Sequence, residues 1–135
     1  MDKIHLNNLV GIPFKSGGRD IQNGLDCWGL VIETYKRFGI KIPDITIRIS
    51  PSGLVAGSAG MGTEKCRWKE VYYPKDNDIP LTVLMQIHQK YITHAGVLVS
   101  RNRLLHTTKC TGSILTRLDA IKSHVIGYYR YVEDN

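Results

Sequence analysis

Cysteine is scarce in this sequence. Cys27, Cys66 and Cys110 are its only three, set far apart and without a C-x-x-C pair. An odd, widely spaced set supports neither a disulfide framework nor a structural zinc site, so no metal and no cofactor is expected. Each thiol is instead read as a small buried hydrophobe or as a reactive group. Long apolar runs are lacking as well. None approaches the ~18 uncharged residues of a membrane helix, and no membrane insertion is expected. Met1 to Phe14 has no basic segment followed by an apolar one, which argues against a Sec signal peptide. Synthesis in the cytoplasm is the expectation, with any role outside the cell depending on another route. Acidic side chains are few, 12 against 18 Lys and Arg, for a formal charge of +6. That excess suits an anionic partner: nucleic acid, a cell-wall polymer or an acidic protein. The basic residues are scattered, as at Lys36-Arg37, Arg101, Arg103 and Lys109, with no basic run and no nucleic-acid motif. Nucleic acid is therefore not expected as the partner.

The 135 residues suit a single domain, 1–135, and 42% of them are apolar, enough for a core. No repeat or low-complexity segment interrupts the chain. Residues 11–26 are rich in turn formers: Gly11, Pro13, Gly17-Gly18, Asn23-Gly24 and Asp26. Cys27 to Phe38 then reads as a helix. Asp26 is its N-cap, Leu30, Val31, Thr34, Tyr35 and Phe38 form an inner stripe, and Gly39 is a natural residue just past its end. Residues 44–77 are an unassigned insertion, expected to be mobile. Ile45, Ile47 and Ile49 alternate like a short strand there, and Pro51 to Gly62 holds four glycines. Its Gly57-x-x-Gly60-x-Gly62 lacks the Lys-Ser/Thr of a phosphate loop. Beyond Asp78 come five short runs rich in β-branched and aromatic residues: Leu81–Ile87, His94–Val99, Arg103–Thr107, Ser113–Leu118 and Val125–Val132. A helix followed by a meander of about five strands predicts an α+β fold with an antiparallel sheet, not a doubly wound parallel one.

Cys27 falls at the first position of the helix, where backbone N–H groups and the positive dipole end lower a thiol's pKa. A cysteine nucleophile needs a base, usually histidine. Of His5, His88, His94, His106 and His124, His94 opens a strand just before the small residues Ala95 and Gly96, which leave room for its ring to approach a helix end. His106 lies one strand on and could orient His94, the third role of a triad. The two must share a sheet face. A plain two-residue turn at Arg101-Asn102 would set His106 opposite Val97, on the wrong face. A three-residue loop, or a bulge to the same effect, sets it opposite Gly96.

Gly24-Leu25-Asp26-Cys27-Trp28-Gly29-Leu30-Val31 resembles the nucleophile motif of NlpC/P60 cysteine peptidases. Thr93-His94-Ala95-Gly96-Val97 resembles their histidine strand, and Leu104-Leu105-His106-Thr107 the strand with the third polar residue, which is His, Asn or Gln in that family. Gly17-Gly18 matches the glycine pair upstream. The resemblance covers about residues 14–38 and 78–131. It implies a papain-like fold, with the N-terminal nucleophile helix packed on the sheet. It also implies a Cys27–His94–His106 triad that hydrolyses the amide between D-γ-glutamyl and the diamino acid of a peptidoglycan stem peptide. Phe14, Arg19 and Trp28 become candidate substrate-binding residues; an ordinary ion pair for Arg19 and core packing for Trp28 are the alternatives. Pro13-Phe14-x-x-Gly17-Gly18-Arg19-Asp20, Asp26-Cys27-Trp28-Gly29-Leu30-Val31 and the closing Gly127-Tyr128-Tyr129-Arg130 are similar to a phage tail-tip subgroup. That similarity implies a virion tail location, other tail proteins as partners and action at the bacterial cell wall.

Two positions depart from the family pattern. Phe14 stands where many members carry a Tyr whose hydroxyl supports the nucleophile, and Asn77-Asp78 replaces the usual Gly-Asp before the first core strand. The absent Tyr hydroxyl favours a catalytically silent tail protein that keeps the fold, and an acyltransferase or toxin using the same triad is a second alternative.

Overall fold

The turn formers of residues 11–26 bring the chain to the first turn of a helix. The computed structural model of the protein describes residues 6–42, 68–86 and 94–132. The loop carries a two-residue hairpin, β1 (Arg19–Asp20) and β2 (Gly24–Leu25). α1 follows at Cys27–Arg37. Asp26 caps it by accepting the Gly29 N–H at 2.7 Å, satisfying one of the orphan donors of the first turn. It ends one residue earlier than expected: Phe38 is the C-cap, and Gly39 takes a left-handed φ of 77°.

The five expected strands form as β4 (Leu81–Met85), β5 (His94–Ser100), β6 (Arg103–Thr108), β7 (Gly112–Arg117) and β8 (Val125–Tyr131). A sixth was not foreseen. β3 (Trp68–Val71) lies in the stretch left unassigned, so that stretch is not wholly an insertion. The six make one antiparallel sheet in the order β3-β8-β4-β5-β6-β7. Four residues are too few to display an alternation. β3 is a strand because β8 pairs with it, Trp68 against Tyr131 and Val71 against Tyr128. The Ile45–Ile49 alternation, the four-glycine loop, Cys66, His5 and His88 lie outside the described residues.

One sheet face presents Trp68, Leu84, Ala95, Val97, Tyr129 and Tyr131 to Trp28, Val31, Ile32 and Tyr35 of α1. Trp68 sits edge-on to Trp28, Tyr35 and Tyr131 with ring centroids 5.0–5.8 Å apart, the geometry aromatic quadrupoles favour. The other face buries Leu81, Val83, Met85, Leu98 and Leu104. β4 is therefore covered on both sides, which is why it reads as the unbroken run Leu-Thr-Val-Leu-Met. Its one hydroxyl, on Thr82, meets the buried Tyr35 hydroxyl at 3.0 Å. The segment before the loop is tied to β7 by buried Ser113, whose Oγ donates to the Leu9 carbonyl and accepts the Ile12 N–H.

Candidate active site

The loop grips the start of α1 through close backbone approaches. The Gly18 carbonyl accepts the Asp26 N–H, and a Cβ on Gly29 would stand only 2.2 Å from that carbonyl oxygen. A Cβ on Gly18 would in turn strike the Gly24 carbonyl at 2.3 Å. Glycines at 18 and 29 are thus required by contact. They fix how Cys27, on the first turn, faces the sheet. Arg19 closes the same corner, its guanidinium bonding the Asp26 carboxylate at 2.6 Å and the Gly18 carbonyl at 2.9 Å.

The half-buried Cys27 packs against the cluster that includes Ala95, the residue that follows His94 in β5, and the backbone N–H groups of Ala95 and Trp28 favour its ionised form. The thiol therefore meets the sheet at the start of the histidine strand. Its pKa is raised. Burial is the largest cause, opposed by the Ala95 N–H; the Asp26 carboxylate adds to the rise, and the Trp28 N–H and Arg19 oppose it. The helix start alone led to the opposite expectation. Desolvation of a thiolate outweighs the two N–H donors and the Arg19 charge.

His94 and His106 come together. His94 Nε2 lies 2.9 Å from His106 Nδ1, the rings edge to face, and both residues are buried. The register that permits this is a two-residue turn at Arg101-Asn102 compensated by a bulge between Leu98 and Ser100. The bulge restores the frame of a three-residue loop: Val97 faces Leu105, and His106 falls beside Gly96. His94 is pulled down to about 4 by burial, with the charge of His106 as the second cause, and burial lowers His106 too. Both rings are neutral at neutral pH, so each has one N–H and one lone pair. Nδ1 of His94 is left outside the pair. No hydrogen bond joins the Cys27 sulfur to it among the described residues.

The other expected residues are placed as follows. Trp28 is 6% exposed and sits in the core, its indole N–H without a partner among the described residues. Phe14 is half-buried beside Leu25, to which it forms a parallel bridge. Arg19 is the clamp on the Asp26 cap. One residue of the cluster was missed: Thr116, whose Oγ1 lies 2.9 Å from His106 Nε2. Nothing in the sequence marks a lone Thr in a strand, although a diagonal neighbour across β6 and β7 is within reach of a His ring.

A sequence model of the NlpC/P60 family matches residues 11–130. The chain belongs to the NlpC/P60 family. Members of this family are generally cysteine peptidases or hydrolases. The fold agrees with solved structures of low sequence identity. One is a Staphylococcus aureus protein described as similar to a lipoprotein of the NLP/P60 family, with TM-score 0.61 and 22% identity over 96% of this chain and 39% of that one. Another is a Bacillus cereus NlpC/P60 family protein, with TM-score 0.59 and 18% identity over 93% of this chain and 37% of that one. A third is the NlpC/p60 domain of the peptidoglycan hydrolase SagA, with TM-score 0.55 and 12% identity over 93% of this chain and 92% of that domain. The chain thus spans well under half the length of the first two. No curated protein matches it.

Proposed function

We propose that this NlpC/P60 protein is a cysteine peptidase that cuts an amide bond in peptidoglycan stem peptides, between D-γ-glutamyl and the diamino acid. The observation that carries the reading is the buried imidazole pair of His94 and His106, with Ala95, the residue after His94, in the cluster that Cys27 packs against. Cys27 is the nucleophile, His94 the base and His106 the residue that orients it. Because burial keeps the thiol and both rings neutral at rest, attack and deprotonation go together. As sulfur adds to the amide carbonyl, its proton passes to Nδ1 of His94. The Cys27 backbone N–H, at the helix start, supports the oxyanion. The resulting imidazolium protonates the leaving amine, and water, deprotonated by His94, releases the acyl group from the thioester. Phe14 and Arg19 border the nucleophile loop and would meet the substrate first.

The phage tail setting, with other tail proteins as partners and the bacterial wall as the place of action, rests on the resemblance of Pro13 to Asp20, Asp26 to Val31 and Gly127 to Arg130. A second reading is a catalytically silent tail protein. It is favoured by Phe14 in place of the family's Tyr and by the lack of a hydrogen bond between Cys27 and His94. Incubation with purified peptidoglycan and mass spectrometry of the fragments separates the two. New termini at γ-glutamyl bonds, absent with Cys27→Ala, support the peptidase. An intact polymer supports the silent protein.

A further inference from the structure

We propose that Thr116 is a positioning residue that sets the proton arrangement of both histidines, a role that rests on the peptidase reading of the same site. His94 Nε2, His106 Nδ1, His106 Nε2 and Thr116 Oγ1 form one series, with both hydrogen bonds 2.9 Å long. Two neutral rings in series have only two self-consistent arrangements. In one, Thr116 donates its hydroxyl proton to His106 Nε2. His106 then carries its proton on Nδ1 and donates to His94 Nε2, which leaves His94 protonated on Nδ1 and unable to take a proton there. In the other, His106 Nε2–H donates to Thr116 Oγ1, His94 Nε2–H donates to His106 Nδ1, and the Nδ1 lone pair of His94 is free. Only the second makes His94 a base toward the thiol.

Thr116 is suited to be the acceptor. It faces Leu104 across β6 and β7, diagonal to His106, which faces Ile114. All four side chains share one sheet face, so Oγ1 comes to the far end of the His106 ring. The β-branched side chain holds few rotamers in a strand, which keeps the oxygen in place. Thr116 is only half-buried, so its own hydroxyl proton can go to water while the lone pair receives His106. His106 Nε2, by contrast, is set in a largely buried ring and loses an unpaired N–H to water poorly.

The test is side-chain 15N NMR of histidine in the labelled protein at neutral pH, beside turnover of peptidoglycan fragments, for wild type, Thr116→Val and Thr116→Ser. Val matches the shape of Thr and keeps the strand, and Ser restores the oxygen. The expected wild type has both histidines protonated on Nε2. Thr116→Val shifts His106 toward the Nδ1–H form and lowers kcat roughly tenfold with KM unchanged, on the scale of one lost hydrogen bond. Thr116→Ser restores both readouts. His106 protonated on Nδ1 in wild type, or tautomers unmoved by Thr116→Val, overturns the proposal. The tautomer readout does not need turnover. If wild type leaves peptidoglycan intact while the tautomers respond as stated, the peptidase reading fails and the positioning of His106 by Thr116 stands.

Discussion

Gly96 and His106 stand face to face across β5 and β6 so closely that a Cβ on Gly96 would lie 2.9 Å from the Cβ of His106, and 2.9 Å from the Leu105 carbonyl oxygen. The bare α-carbon is what allows the His106 ring to reach back to His94.

Gly96→Ala is therefore expected to act on the histidine pair. One of the two contacts is backbone, so the strands must move apart or His106 must swing away. A loss of about 1–3 kcal/mol in urea unfolding is expected, as for overpacked cores, together with loss of most hydrolysis. Unchanged stability and turnover would mean that the pair does not depend on this contact.

The thiols should react in an order that burial dictates. Cys27 is half-buried with its pKa raised, whereas Cys110 is exposed. Iodoacetamide at neutral pH should label Cys110 first, and the Cys27 rate should still climb above the pH where an ordinary thiol, at about 8.5, is half ionised. Peptide mapping of the time course gives the order. Cys27 labelled first at mildly acidic pH would establish a resting thiolate and return the site to the ion-pair form that the helix start alone suggested.

Stability should fall on the acid side of neutrality. His94 is lowered to about 4 and His106 is lowered as well, both first by burial. The unfolded chain, with histidines near 6.5, binds protons first as pH drops. This contribution is complete above about 6.5 and is lost as pH falls through about 4. Urea midpoints measured from pH 7 to pH 4 should decline more steeply for wild type than for a His94→Gln, His106→Asn double variant. Parallel declines would show that the histidines are not the groups that titrate.

Substitution at His106 separates orientation from bulk. An Asn carbonyl can still accept the His94 Nε2–H, and an Ala cannot. His106→Asn should keep measurable hydrolysis, although it gives up the link to Thr116, while His106→Ala should lose about 10²-fold or more. Cys27→Ala should abolish turnover and leave the urea midpoint nearly unchanged, since Ala suits the first helical position. Equal rates for wild type, His106→Ala and Cys27→Ala in the peptidoglycan assay would assign the chain to the silent alternative.

Local chemistry by itself determined much of this protein. Asp26 before Cys27 and Gly39 after Phe38 mark the two ends of α1, because capping and left-handed backbone are properties of single residues. Runs rich in β-branched and aromatic residues, set apart by turn formers, marked β4 to β8, because such side chains fit a pleated, packed surface. Even the pairing of the two histidines was legible, since a period of two allows only certain loop lengths between side chains on one face. Tertiary structure decided the rest. β3 exists through its partner β8, and its residues carry too short a signal to be read. Trp28 stands in the core because Trp68 of β3 packs edge-on against it, and Thr116 joins the histidines because β7 lies beside β6. The thiol's pKa is raised and not lowered for the same reason. Position on a helix supplies a dipole that sequence can show, but the desolvation that overrides it depends on everything packed around the sulfur, and only the folded chain brings those groups together.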